Sequence, residues 1–122
     1  MKFIEISGNY FQGNQVMLAK KHRLAKDRDI KLVFRQGRGF FNPYFNVKHL
    51  KSSFPPRFAI VVSTKVAKQA VRRNRLKRII RELIKREIKN AKPGDYVIMA
   101  KPKAGKEKES VVLDSLKSLF YE

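Results

Sequence analysis

The stretch AVRRNRLKRIIRELIK, residues 70–85, leaves this chain few ways to fold. At about 100° per residue, Leu76, Ile79, Ile80, Leu83 and Ile84 gather on one side of a helix. Asn74, Lys77, Arg78, Arg81 and Lys85 gather on the opposite side, within an arc of about 100°. A helix of this kind must lay its apolar stripe on a partner surface. Two short apolar runs flank it. RFAIVVS (57–63) is β-branched and reads as a well-buried strand; DYVIMAK (95–101) reads as another. Pro93 and Gly94 in KPGD (92–95) end the helix between them. Strand, helix, strand predicts a sheet with the apolar stripe docked on it and the basic stripe standing outward as a ridge.

The remaining segments fit that frame. Asp27 is placed to cap a helix in which Ile30, Val33 and Phe34 follow at i, i+3, i+4, with Gly37 as its stop. In YFNVKHL (44–50), Phe45 and Val47 alternate with Asn46 and Lys48, the pattern of a half-buried strand. SSFPP (52–56) breaks the chain, and PKAGKEKE (102–109) reads as a polar loop. The final segment predicts a helix with Val112, Leu113, Leu116, Leu119 and Phe120 on one side and Ser110 as its cap. Helix, two or three strands, basic helix, strand, helix make an α/β sandwich with one sheet covered by helices. The single domain runs from residue 17 to 122. Residues 1–16, rich in Gly, Asn and Gln, carry no period and read as an N-terminal extension; MLAKKHRL (17–24) has the look of a beginning in its own right.

Charge decides what such a domain can meet. Twenty-nine Lys and Arg against ten Asp and Glu give a formal net charge of +19. Repulsion on that scale opposes compaction and calls for a polyanionic partner. Between Arg72 and Lys89, Glu82 and Glu87 are the only acids against nine bases. The cations crowd the helix N-terminus, where the macrodipole already favours anions. Nucleic acid explains that placement, and stability alone does not. Asn74 reads either as a cap or as an amide that meets sugar hydroxyls or base edges.

Catalytic chemistry is not apparent. The absence of cysteine excludes disulfides and thiolate metal sites. His22 and His49 lie in separate segments without ligand spacing. Asp27/Asp29 and Glu107/Glu109 are explained by a helix start and a lysine-rich loop. No carboxylate cluster, nucleophile–base pair or Gly-rich phosphate loop stands out, so neither catalytic nor metal-binding residues are assigned. No apolar run approaches the roughly 18 to 20 residues of a membrane span, and no secretory signal is visible. A soluble, cytoplasmic chain that binds and does not cut is expected.

KVAKQAVRRNRLKRIIRE (65–82) resembles the RNR motif of the bacterial ribonuclease P protein subunit. HRLAKDRDIKLVFRQGR (22–38) is similar to that family's first helix, RFAIVVSTK (57–65) to the strand feeding the motif, and DYVIMAKP (95–102) to the strand after it. The resemblance covers about residues 18–121. It implies a fold like domain 2 of ribosomal protein S5, in α-β-β-β-α-β-α order with a left-handed βαβ crossover, the hand opposite to the general rule. It also implies two partners, a catalytic RNA and a precursor tRNA whose 5′ leader that RNA removes, with Mg2+ held mainly by the RNA. No protein partner is implied.

By motif position, Arg73, Asn74, Lys77, Arg78 and Arg81 would contact the catalytic RNA; Lys65 and Arg72 join them on charge. The family's leader-binding cleft, between first helix and sheet, maps to Ile30, Phe34 and Lys48, with Phe45 reading as either core or cleft. Phe34 suits base stacking. The chain departs from the family at Ile30 and Lys48, where aromatics are frequent, and at Ala67, where glycine is. Two alternatives remain at this stage: a structural RNA-binding module of ribosomal-protein type, and a DNA-binding helix for the major groove. The second fits poorly, because the apolar stripe needs a sheet.

Overall fold

In a computed structural model, residues 18–120 are described, and the readings of residues 1–16 and Met17 lie outside that range. Helix α1 (Asp27–Gln36) leads into strands β1 (Arg38–Phe41), β2 (Phe45–Lys51) and β3 (Arg57–Val61). Helix α2 (Ala70–Glu87) then connects to β4 (Gly94–Ala100), and α3 (Glu109–Phe120) follows. The sheet order is β1-β2-β4-β3. β1–β2 and β2–β4 are antiparallel, whereas β3 and β4, joined through α2, are parallel. The expected helix–strand order is therefore observed.

Strand alternation sends side chains to two separate cores. On one face Phe45, Val47, Phe58, Ile60, Tyr96 and Ile98 pack with Leu76, Ile80 and Leu83 of α2 and Leu116 of α3. On the other, Ala59, Val61 and Val97 pack with Leu24 and with Ile30 and Val33 of α1. The sheet is thus sandwiched, with α1 on one side and α2 with α3 on the other. Arg57 locks the sheet to α1. Its guanidinium donates to both carboxylate oxygens of its ladder partner Asp95, at 2.8 and 2.7 Å, and stands 3.6 Å from Asp29. Those bonds and charges raise its pKa.

Several helix ends differ from expectation. Asp27 is the first helical residue of α1 rather than its cap, and Lys26, in extended conformation, occupies the cap without a side-chain bond. The carboxylates of Asp27 and Asp29 still suit the positive end of the helix. Ser110 likewise falls inside the first turn of α3, which begins at Glu109. Asn74 lies a full turn into α2, so it caps nothing. Gly37 does end α1, but through close approach: its backbone is extended, and a Cβ there would sit 2.5 Å from the Val33 carbonyl oxygen. Residues 102–109 are not a plain loop, since a 3₁₀ turn over Pro102–Lys106 buries Ala104.

Candidate nucleic-acid interface

Helix α2 is rolled relative to its own apolar stripe. Its buried residues are Arg73, Leu76, Lys77, Ile80, Arg81, Leu83 and Ile84. They span about 160° at 100° per residue, an arc turned by about 50° toward the basic stripe. Lys77 and Arg81 are each 1% exposed and Arg73 8%, so these three do not stand on an outward ridge. Their i, i+4 spacing makes them a column beside Ile80 and Ile84, where aliphatic stems extend the apolar surface. Burial, and next to it the positive charge of Arg78, lowers the pKa of Arg81 to about 10. Arg73 grips backbone: its Nη1 donates to the carbonyls of Ala67 and Lys68 at 3.0 and 2.7 Å. That ties the loop after β3 to the start of α2.

The outward arc of α2 carries Arg72, Asn74, Arg75, Arg78 and Lys85, all exposed, and Lys65 is exposed on the preceding loop. Arg75 is absent from the residues carried over above although it closes the RNR triplet Arg73-Asn74-Arg75; the triplet itself and its position on the wheel, between Arg78 and Arg72, are the signals that find it. Two acids reach this arc. Glu82 stands 3.5 Å from Arg78 and Glu109, at the start of α3, 3.4 Å from Arg75. Both pairs are exposed, so they contribute little to stability. Between α2 and the start of α3 runs a groove of about 310 Å³ lined by Val71, Arg72, Arg75, Ile79, Glu107 and Glu109.

The α1 face of the sheet places the residues assigned to the leader. Ile30 is fully buried beneath α1. Phe34 packs half-buried at the margin of the same core, and Lys48, ladder partner of Val97, projects on the same face of β2. Phe45 is a correction. It is fully buried on the opposite face, among Val47, Phe58 and the side chains of α2 and α3, so alternation along β2 keeps it out of any surface beside α1. The structure therefore unites Phe34 and Lys48 and separates Phe45 from them.

Among the described residues, no group of three or more His, Cys, Asp or Glu side chains converges as metal ligands, and no helix is long and apolar enough to cross a membrane. His22 Nδ1 lies 2.7 Å from the Pro56 carbonyl oxygen. His49 Nε2 lies 2.9 Å from that of Pro93, and its ring stacks on Tyr96. Both imidazoles thus have structural work.

The ribonuclease P family model matches residues 18–122. A ribonuclease P protein component of Exiguobacterium sp. is 39% identical over 104 residues, covering 84% of this chain and 90% of the relative. One of Cyanothece sp. is 33% identical over 124 residues, covering 87% and 95%. The solved Staphylococcus aureus RNase P protein aligns with a TM-score of 0.78 at 27% identity, over 84% of this chain and 94% of that one. The Thermotoga maritima RNase P protein gives 0.74 at 33% identity, over 80% and 96%. Motif, sheet, helices and relatives agree, and the chain belongs to the bacterial ribonuclease P protein component family.

Proposed function

We propose that this chain, as the non-catalytic protein subunit of ribonuclease P, assists tRNA 5′-leader removal through two surfaces on opposite sides of one sheet. The outward arc of α2 binds the catalytic RNA; the α1 face holds the single-stranded leader. The observation that carries this reading is the exposed row Arg72, Asn74, Arg75, Arg78 and Lys85 on a single helix. Phosphates of a folded RNA can meet that row without disturbing the core. Arg73, Lys77 and Arg81 act from beneath it, Arg73 by holding the loop that carries Lys65 and Ala67 against the helix. On the other face, Lys48 follows the leader backbone and the margin of Phe34 meets a base.

The chain's contribution is electrostatic and positional. Cations neutralise phosphates near the RNA's active centre, so the RNA folds and docks substrate with less magnesium, and the divalent ions of the reaction belong to the RNA. Contacts to the leader add affinity for precursor and none for product. The same reading gives the domain the fold of ribosomal protein S5 domain 2, with a left-handed β3–α2–β4 crossover. Its support is that β3 and β4 are adjacent parallel strands joined through α2. A cytoplasmic location, where precursor tRNA is found, and the absence of an obligate protein partner complete the proposal.

The test is precursor-tRNA cleavage by a bacterial ribonuclease P RNA at low magnesium, with and without this protein. A large gain in rate, absent with protein alone, is expected. Tight, salt-sensitive RNA binding with no gain would overturn the subunit role.

A further inference from the structure

Phe41 is 73% exposed, although it lies in a regular strand. Its ladder partner is Asn46, whose own partner on β4 is Met99, and Met99 packs at the margin of the core beneath α1. Phe41 therefore faces the α1 side of the sheet, on the edge strand that α1 does not cover. Two cations stand beside it. Lys101 Nζ lies 5.2 Å from the ring centroid. Gly39, the next residue on that face of β1, has no side chain, and Lys48 extends over it, its Nζ 3.7 Å from where a Cβ would be. The platform is rigid. β1 is fully laddered to β2, and the Lys101 N–H donates to the Tyr44 carbonyl at 2.8 Å, which fixes the residue after β4 against the β1–β2 hairpin.

An exposed phenyl ring on an edge strand contributes little to a core and invites association, so its retention beside two lysines points to a ligand. The chemistry is that of a single-strand platform: an aromatic face for one base, ammonium groups for the phosphates on either side, and an amide at the base edge. We propose that Phe41 is a base-stacking platform for one nucleotide of the precursor's leader, with Lys48 and Lys101 on the flanking phosphates and Asn46 at the base edge. This rests on the reading that the leader runs along the α1 face. It extends that path from Phe34 and Lys48 across β2 to the edge strand, and assigns the exposed ring there a role in substrate preference.

The experiment uses the holoenzyme reconstituted with a bacterial ribonuclease P RNA. Affinity is measured for precursor and mature tRNA, and 2-aminopurine is walked through the leader to report stacking. In Phe41→Ala and Phe41→Leu, precursor affinity is expected to fall about tenfold, the typical loss of one base–aromatic stack, with mature-tRNA affinity unchanged. One leader position should be quenched in the wild type and recover its fluorescence in both variants, while Phe41→Tyr keeps the quench. Lys101→Ala should weaken precursor binding and reduce its salt dependence. If Phe41→Ala and Phe41→Leu stay within twofold of the wild type, or lose both tRNAs equally, the platform is overturned while the leader reading stands. A wild-type holoenzyme with no preference for precursor would overturn the leader reading itself.

Discussion

Gly94 adopts φ +123°, and a Cβ at that position would fall 2.3 Å from the Leu50 carbonyl oxygen and 2.8 Å from His49 Nε2. Gly94→Ala should therefore destabilise the fold by about 1–3 kcal/mol in denaturant titration; a loss below about 0.5 kcal/mol would contradict the strain. His49, which Gly94 admits, is pushed below its ordinary pKa of 6.5, first by burial and then by Lys92 and Lys51, against the opposing pull of Pro93 and Asp95. The unfolded chain then takes up the proton more readily than the folded one. The stabilisation is fully present above pH 6.5 and is lost as pH falls from there through the folded value. The melting temperature should drop between pH 7.5 and 5.5, and His49→Phe, which keeps a ring on Tyr96 but binds no proton, should show a shallower drop. Equal slopes would remove His49 from the account.

Helix α2 divides its cations by exposure. Arg78 and Arg75 face outward with exposed acids as weak partners, so Arg78→Ala and Arg75→Ala should each reduce the salt slope of RNA binding by about one unit at unchanged stability. Arg73→Ala should do something different. With the Ala67 and Lys68 carbonyls released, the fold should lose about 1–3 kcal/mol, and RNA affinity should weaken through the displaced loop. A pure salt-slope effect with full stability would instead make Arg73 a direct phosphate ligand. The amphipathic pattern correctly announced α2, yet it misplaced Lys77 and Arg81. A wheel assumes that the apolar centroid points at the core, whereas packing against β3 and α3 turned the helix and drew the basic column in.

At the scale of the whole molecule, Arg57 joins β3, β4 and α1 in one cluster of charges. Asp95→Asn removes the charged acceptor of its paired bonds and should cost about 1–3 kcal/mol, read by chemical denaturation. Because Asp29 lies at the start of α1, the same variant should loosen that helix and lower precursor affinity more than affinity for the catalytic RNA. Equal effects on both would mean that the two surfaces are not separable through the sheet. The net charge of +19 acts on the molecule as a whole, so added polyanion should raise the melting temperature.

The chain's own pattern determined helices α1, α2 and α3, strands β2, β3 and β4, their order, the burial of RFAIVVS and DYVIMAK, and the polyanionic partner, but not the edge strand β1. Each of these follows from local periodicity or from summed charge, which neighbours in sequence already express. The RNR stretch with its flanks also determined the family. Tertiary structure decided which side of the sheet each residue meets. Phe45 and Lys48 lie three residues apart on one strand and end on opposite faces, and that parity acquires meaning only once α1 covers one face and α2 with α3 the other. Phe41 and Lys101 are sixty residues apart in number and adjacent in space through the β1-β2-β4 ladder, a proximity that long-range strand pairing alone creates.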